Sequence, residues 1–306
     1  MSTKNPLTYG FGAIRRDPAL LLVEILWRWC FGAIALLLFL GFLVMYPEAV
    51  AAGDTSAWSS HDPLLIAQAF LHLLTGVGGK PLAVAIALLL VATAVWTLLG
   101  AAGRTFTLNR LERSGIRFRS IVALQSLRAA FLWLAGIALS KTIVLDARVA
   151  GRGAKPDIFL YSALAVWSVI LIGVLWAAVN WNLSLAAVCC AKNAGGFGRS
   201  IRQALALDRS HSGDLLGVSL VFALWRLIVL AVAFVLWFLP SAKMATAPRA
   251  YFAWFVITTL AYFAAADYLY IARMAGYLAI DPLDSIDDQV GTPRPGLPGS
   301  EPIAHR

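Results

Sequence analysis

The sequence predicts an all-α protein, a polytopic transmembrane helix bundle of about six spans accompanied by short amphipathic interfacial helices. Three observations lead there. Sixty per cent of the 306 residues are hydrophobic and only 13% are charged, about half the charged share of an ordinary soluble domain. The apolar residues come in blocks long enough for a hydrocarbon core of roughly 30 Å, which takes about 20 helical residues at about 1.5 Å each. The basic residues gather in short segments between those blocks, as a membrane topology requires.

Spans are predicted at 20–45, 82–102, 127–145, 158–188, 215–239 and 250–274, within a transmembrane domain covering 1–280. The stretch Ala19 to Met45 is too long for a signal-peptide core. It is therefore expected to stay uncleaved, despite the Ala49 and Ala51 pair just beyond it. In the first external loop, Leu64 to Leu74 is apolar but too short to span, and suits an interfacial or re-entrant helix. The connection after the second span begins Gly103-Arg104-Thr105-Phe106 and carries Arg104, Arg110, Arg113, Arg117 and Arg119.

The connection after the fourth span begins Gly198-Arg199-Ser200-Ile201 and continues through Arg202 to Arg209. Ile201, Ala204 and Leu205 share one helical face while Arg202 and Arg209 lie off it. That arrangement fits a helix along the headgroups or a short solvated connector. Residues 281–306, with Asp284, Asp287, Asp288 and a high share of proline and glycine, cannot build a core and are predicted to be a disordered, acidic cytoplasmic tail.

Lys and Arg placement sets the orientation. With both termini inside, sixteen basic residues fall on the cytoplasmic side and six outside, leaving Arg28, Lys141 and Arg226 within spans. The expected location is the bacterial cytoplasmic (inner) membrane, multi-pass. The formal charge of +9 then reflects topology and not nucleic-acid binding. The predicted partners are the lipid bilayer and its anionic headgroups, met by Arg104, Arg110, Arg113, Arg117, Arg119, Arg199 and Arg202. A protein partner is left open.

The stretch Phe197-Gly198-Arg199-Ser200-Ile201-Arg202-Gln203-Ala204-Leu205-Ala206-Leu207, followed by His211, Gly213 and Leu216-Gly217 at the start of a span, resembles a short-helix-then-membrane pattern. That pattern is found in bacterial six-helix proteins related to the membrane domain attached to glycerophosphoryl diester phosphodiesterases. The spans leave no room for a phosphodiesterase domain, so the resemblance implies architecture and no catalysis.

Signatures of chemistry are thin. Gly76-Val77-Gly78-Gly79-Lys80 is followed by Pro81 where a phosphate loop needs Ser or Thr. His61, Asp62 and His72 lack the spacing of a zinc set, and Cys30, Cys189 and Cys190 form no Cys-x-x-Cys pair. No Gly-x-Ser-x-Gly or His-Glu-x-x-His motif occurs. No catalytic, cofactor or metal residue is assigned.

Polar residues inside spans say more, because a charge at a helix centre costs about 2.5 to 3.5 kcal/mol on insertion scales and usually faces the bundle interior. Glu24 and Arg28 stand four apart on one face; Asn180 lies on a stripe with Gly173, Ala177 and Ser184; Arg226 and Asp267 sit at similar depths in adjacent spans. An Arg226 to Asp267 ion pair is expected. The candidate intramembrane cluster is Glu24, Arg28, Asn180, Arg226 and Asp267, with structural pairing favoured over a transport pocket. Two functions follow: a non-enzymatic scaffold or partner- and lipid-interacting component, or a small-solute or lipid transporter that uses the polar cluster.

Overall fold

The computed structural model describes residues 5–46, 79–112, 115–152, 157–193, 196–210, 212–239 and 248–280. These form eight helices: α1 Pro6–Arg16, α2 Ala19–Met45, α3 Gly79–Glu112, α4 Phe118–Ala150, α5 Ile158–Asn193, α6 Phe197–Ser210, α7 Ser212–Phe238 and α8 Pro248–Leu278. Six of them, α2, α3, α4, α5, α7 and α8, are long and apolar enough to cross a membrane. The chain is an all-α, multi-pass membrane protein. The predicted loop helix at 64–74, the tail at 281–306, His61, Asp62, His72 and Arg113 lie outside the described residues.

Hydropathy located the spans but not their ends. The third helix continues to Glu112, ten residues past the predicted 102, and α4 starts at Phe118 where 127 was expected. Hydropathy marks where lipid stops, whereas helical hydrogen bonding carries on through Arg, Leu, Thr and Ala, most of them good helix formers. The five-arginine connector is therefore mostly helix, with only 113–117 between α3 and α4.

Two short amphipathic helices complete the end of the bundle where the arginines collect, called the basic end below. The first, α1, had no counterpart in the hydropathy pattern. Asn5 caps it by accepting from the Leu7 N–H at 3.0 Å, and Pro6 occupies the first turn, where its missing N–H costs nothing. Its buried face carries Gly10 and Ile14 against α8. Phe11 packs on Phe222 and Tyr268, with ring centroids 5.4 and 6.0 Å away. A Cβ at Gly10 would strike the backbone carbonyl of Ala272, so only glycine permits this approach.

The second, α6, is turned differently from expectation. Its buried face is Ser200, Gln203, Ala204 and Leu207, Ile201 is half-buried, and Leu205 points outward. It packs on α5 and also touches α4 and α7. Protein contact therefore sets its orientation, and Arg199, Arg202 and Arg209 occupy its exposed side.

Successive spans α2, α3, α4 and α5 are neighbours, α7 packs on α8, and α8 returns against α2 and α5. The buried residues concentrate at the basic end. There Ala186 to Ala191 of α5 are enclosed on all sides, joined by Leu20, Ala101, Leu108, Ile121, Leu215, Ile271 and Ala275. Toward the opposite end the helices present Leu37, Phe39, Trp167, Val174, Leu227 and Phe252 outward. Lipid is as apolar as these side chains, so nothing drives them inward. Local ties hold that end: Trp133 donates to Thr93 Oγ1 at 3.2 Å, Ser168 to Asp146 at 3.0 Å, and Trp254 to the Leu236 carbonyl at 2.8 Å.

Candidate functional site

A polar layer crosses the bundle inside its basic end. Arg28 is 17 residues from the far end of α2, Arg128 is 22 from that of α4, and Asp267 is 19 from that of α8. At about 1.5 Å per residue these are depths of roughly 25 to 35 Å, about one hydrocarbon thickness. The layer thus lies displaced from the middle of these helices toward the basic end.

Its first half is a charge triad. Arg28 Nε donates to Glu24 Oε1 at 2.9 Å, one helical turn back on α2, while Arg28 Nη1 reaches Asp267 Oδ1 on α8 at 2.9 Å. The Trp27 indole N–H donates to the other oxygen of Glu24 at 2.9 Å. Glu24 is 0% exposed and Asp267 2%, whereas the Arg28 side chain keeps 34% exposure. One guanidinium therefore bridges two buried carboxylates and ties the first and last spans together.

The fit between α2 and α3 is as tight. Gly103 faces the Trp27 indole, and a Cβ there would overlap the ring; at Gly100 a Cβ would stand 2.9 Å from Gln125 Nε2 and 3.6 Å from Trp27. These glycines let Trp27 lie flat on α3 while its N–H serves Glu24.

The second half is an arginine group around Tyr270. The guanidinium carbons of Arg28, Arg104 and Arg273 stand 4.9, 5.5 and 5.6 Å from the centre of that ring. Cations over an aromatic face gain from its negative quadrupole. Arg128 of α4 lies within electrostatic range of Tyr270, Arg104 and Arg273. It also donates to Gln125 Oε1 at 3.2 Å and to Ser184 Oγ on α5 at 3.1 Å. Arg104 and Arg128 are 8% and 3% exposed. Among the described residues neither they nor Arg273 pair with a carboxylate.

Three residues expected elsewhere are relocated by this geometry. Arg226 does not pair with Asp267: it lies exposed on α7, and its charge reaches Asp267 only at long range. Asn180 is half-buried, and its backbone carbonyl accepts from Ser184 at 2.7 Å. Of its stripe only Ser184 reaches the layer, while Gly173 and Ala177 face outward. Arg104, expected at lipid headgroups, is instead inside the bundle.

The remaining lipid-contact candidates within the described residues, Arg110, Arg117, Arg119, Arg199 and Arg202, are exposed at the basic end. Arg110 also forms an ion pair with Asp17, and these two with Phe106 and Asn109 line an open surface pocket.

Charge counting along the chain placed Arg104 at lipid headgroups and Arg128 on the cytoplasmic side, and so missed that both are enclosed in the bundle. The signal that marks Arg104 is its helical face, Thr97, Gly100, Ala101, Arg104, Thr107 and Leu108, whose small residues at three- and four-residue spacing indicate close helix contact. Among the described residues no three His, Cys, Asp or Glu side chains converge as a metal set. The layer can fix helix register and hold positive charge away from water. No protein-family model, curated protein or solved structure matches the chain, so the reading rests on this geometry.

Proposed function

We propose that this protein is a multi-pass component of the bacterial cytoplasmic membrane, with both termini in the cytoplasm. In this reading it acts without catalysis as a scaffold or as a partner- and lipid-interacting protein. The observation that carries it is the exposed arginine rim: Arg15, Arg16, Arg110, Arg117, Arg119, Arg199 and Arg202 all project from one end of the bundle. Each basic residue near an anionic leaflet contributes about 1 kcal/mol of attraction. A small-solute or lipid transporter is the second reading, favoured by the buried Arg104 and Arg128, which have no carboxylate partner among the described residues.

Alkaline phosphatase fused after Ser60 is expected to be active and after Arg117 inactive; the reverse pattern overturns the orientation. Purified protein is expected to carry anionic phospholipid into native mass spectrometry. Substituting Gln at Arg117, Arg119, Arg199 and Arg202 together should remove most of it. Unchanged lipid retention in that variant rejects the arginine rim as the lipid contact.

A further inference from the structure

We propose that Arg104, Arg128 and Arg273 form a binding site for a phosphate dianion, supplied either as free phosphate or as a lipid phosphomonoester headgroup. This goes beyond the scaffold reading above, which rests on the exposed rim, and gives the transporter reading a ligand chemistry.

Charge balance is the first support. The layer around Tyr270 holds four guanidiniums, Arg28, Arg104, Arg128 and Arg273, against two carboxylates, Glu24 and Asp267. Both carboxylates are engaged by Arg28, which leaves Arg104, Arg128 and Arg273 without a carboxylate among the described residues and the layer with a net of two positive charges. Buried ions are ordinarily paired, because leaving one uncompensated forfeits its hydration.

Unused hydrogen-bonding capacity is the second. The Nε atoms of Arg104, Arg128 and Arg273 and Nε2 of Gln125 are buried without a partner, and all four are donors. Of the other unpartnered atoms nearby, Asp267 Oδ2 belongs to the carboxylate that already holds Arg28, and Thr107 Oγ1, three residues from Arg104, can donate as well as accept. A surplus of donors and positive charge calls for an anion rich in acceptor oxygens.

Phosphate meets both conditions. A phosphomonoester carries about −1.5 to −2 charge at pH 7 with three strong acceptor oxygens, matching the residual charge, and guanidinium forks suit its geometry. With the far helix ends set at one hydrocarbon boundary, the layer's distance of about one hydrocarbon thickness would bring it to the level of headgroup phosphates at the other.

The test uses the full-length protein in neutral detergent at constant ionic strength. Inorganic phosphate and phosphatidic acid are titrated in separate arms, with chloride and phosphatidylcholine as matched controls. Saturable binding in the phosphate arm alone identifies a free-anion site, and saturable binding in the phosphatidic acid arm alone identifies a lipid site; either supports the proposal. Failure to bind in both arms overturns it.

Arg104→Gln and Arg273→Gln should each weaken binding about 10- to 100-fold, the worth of one charge-assisted hydrogen bond. Arg104→Lys, which keeps the charge but loses the fork, should recover only part, and Arg199→Gln with Arg202→Gln should leave this binding unchanged. Folded Arg104 and Arg273 variants that bind like the parent overturn the proposal. Phenylglyoxal labelling of the unmodified protein decides the matter even where a variant fails to fold. The bound ligand should protect Arg273, the half-buried member of the group, from modification but not Arg199 or Arg202, and protection of the exposed pair instead overturns the assignment.

Discussion

Replacing Arg28 by Leu strands two carboxylates at once, since Glu24 is 0% exposed and Asp267 2% and Arg28 bridges both. Breaking a fully buried ion pair costs about 3 to 5 kcal/mol, and an exposed one about 0 to 1. The Arg28 side chain is 34% exposed, so solvent screens part of the attraction and the expected loss is about 2 to 3 kcal/mol. On the scaling for chains of this size that corresponds to roughly 4 to 12 °C in melting temperature. The assay is thermal unfolding in detergent, followed by tryptophan fluorescence, across a cycle of Arg28→Leu, Asp267→Leu and the double variant.

The double variant is expected to melt higher than the sum of the two single losses predicts, with a coupling of about 1 kcal/mol or more. Arg226→Leu should shift stability by no more than about 0.5 kcal/mol, as exposed substitutions generally do. Additive losses for Arg28 and Asp267, together with coupling between Arg226 and Asp267, would refute the assignment of Arg28 as the partner of Asp267.

Two further perturbations probe the same end of the bundle. Gly103→Val should cost about 1 to 3 kcal/mol in the same melt by driving a side chain into the Trp27 ring, and adding Trp27→Ala should give part of that loss back; a Gly103→Val protein as stable as the parent contradicts the tight α2 to α3 contact. Asp17→Asn, which removes the partly exposed Asp17 to Arg110 pair, should lower stability by less than about 1 kcal/mol, and the difference should vanish in high salt because screening already suppresses the pair. A loss that persists at high salt would assign Asp17 a role beyond that pair, such as its 3.3 Å acceptance from the Ala19 N–H at the start of α2.

Six spans were legible in the sequence because crossing a hydrocarbon core is a local property of some 20 consecutive residues. The Glu24 to Arg28 pair was legible for the same reason: residues four apart on a helix meet whatever the helix packs against. Which polar groups meet across helices depends on how each span is rotated about its axis and which span lies beside it. That is why α8 turns Asp267 toward Arg28 of α2 and leaves Arg226 outside, although α7 is the nearer neighbour in sequence.

The basic residues divided along the same line. Counting Lys and Arg sees one dimension, so Arg104 and Arg128 looked the same as Arg119 and Arg199. Only the packed structure separates the first two, enclosed around Tyr270, from the last two, exposed on the rim. Helix α1 escaped hydropathy because it is short and half polar, and its place is set by Gly10 lying against the Ala272 carbonyl of α8, a contact between residues far apart in the chain. Local sequence determined that this chain crosses a membrane and how often. Tertiary packing decided which charges are neutralised, which are buried in excess, and which face outward, because burial and pairing are properties of several helices together.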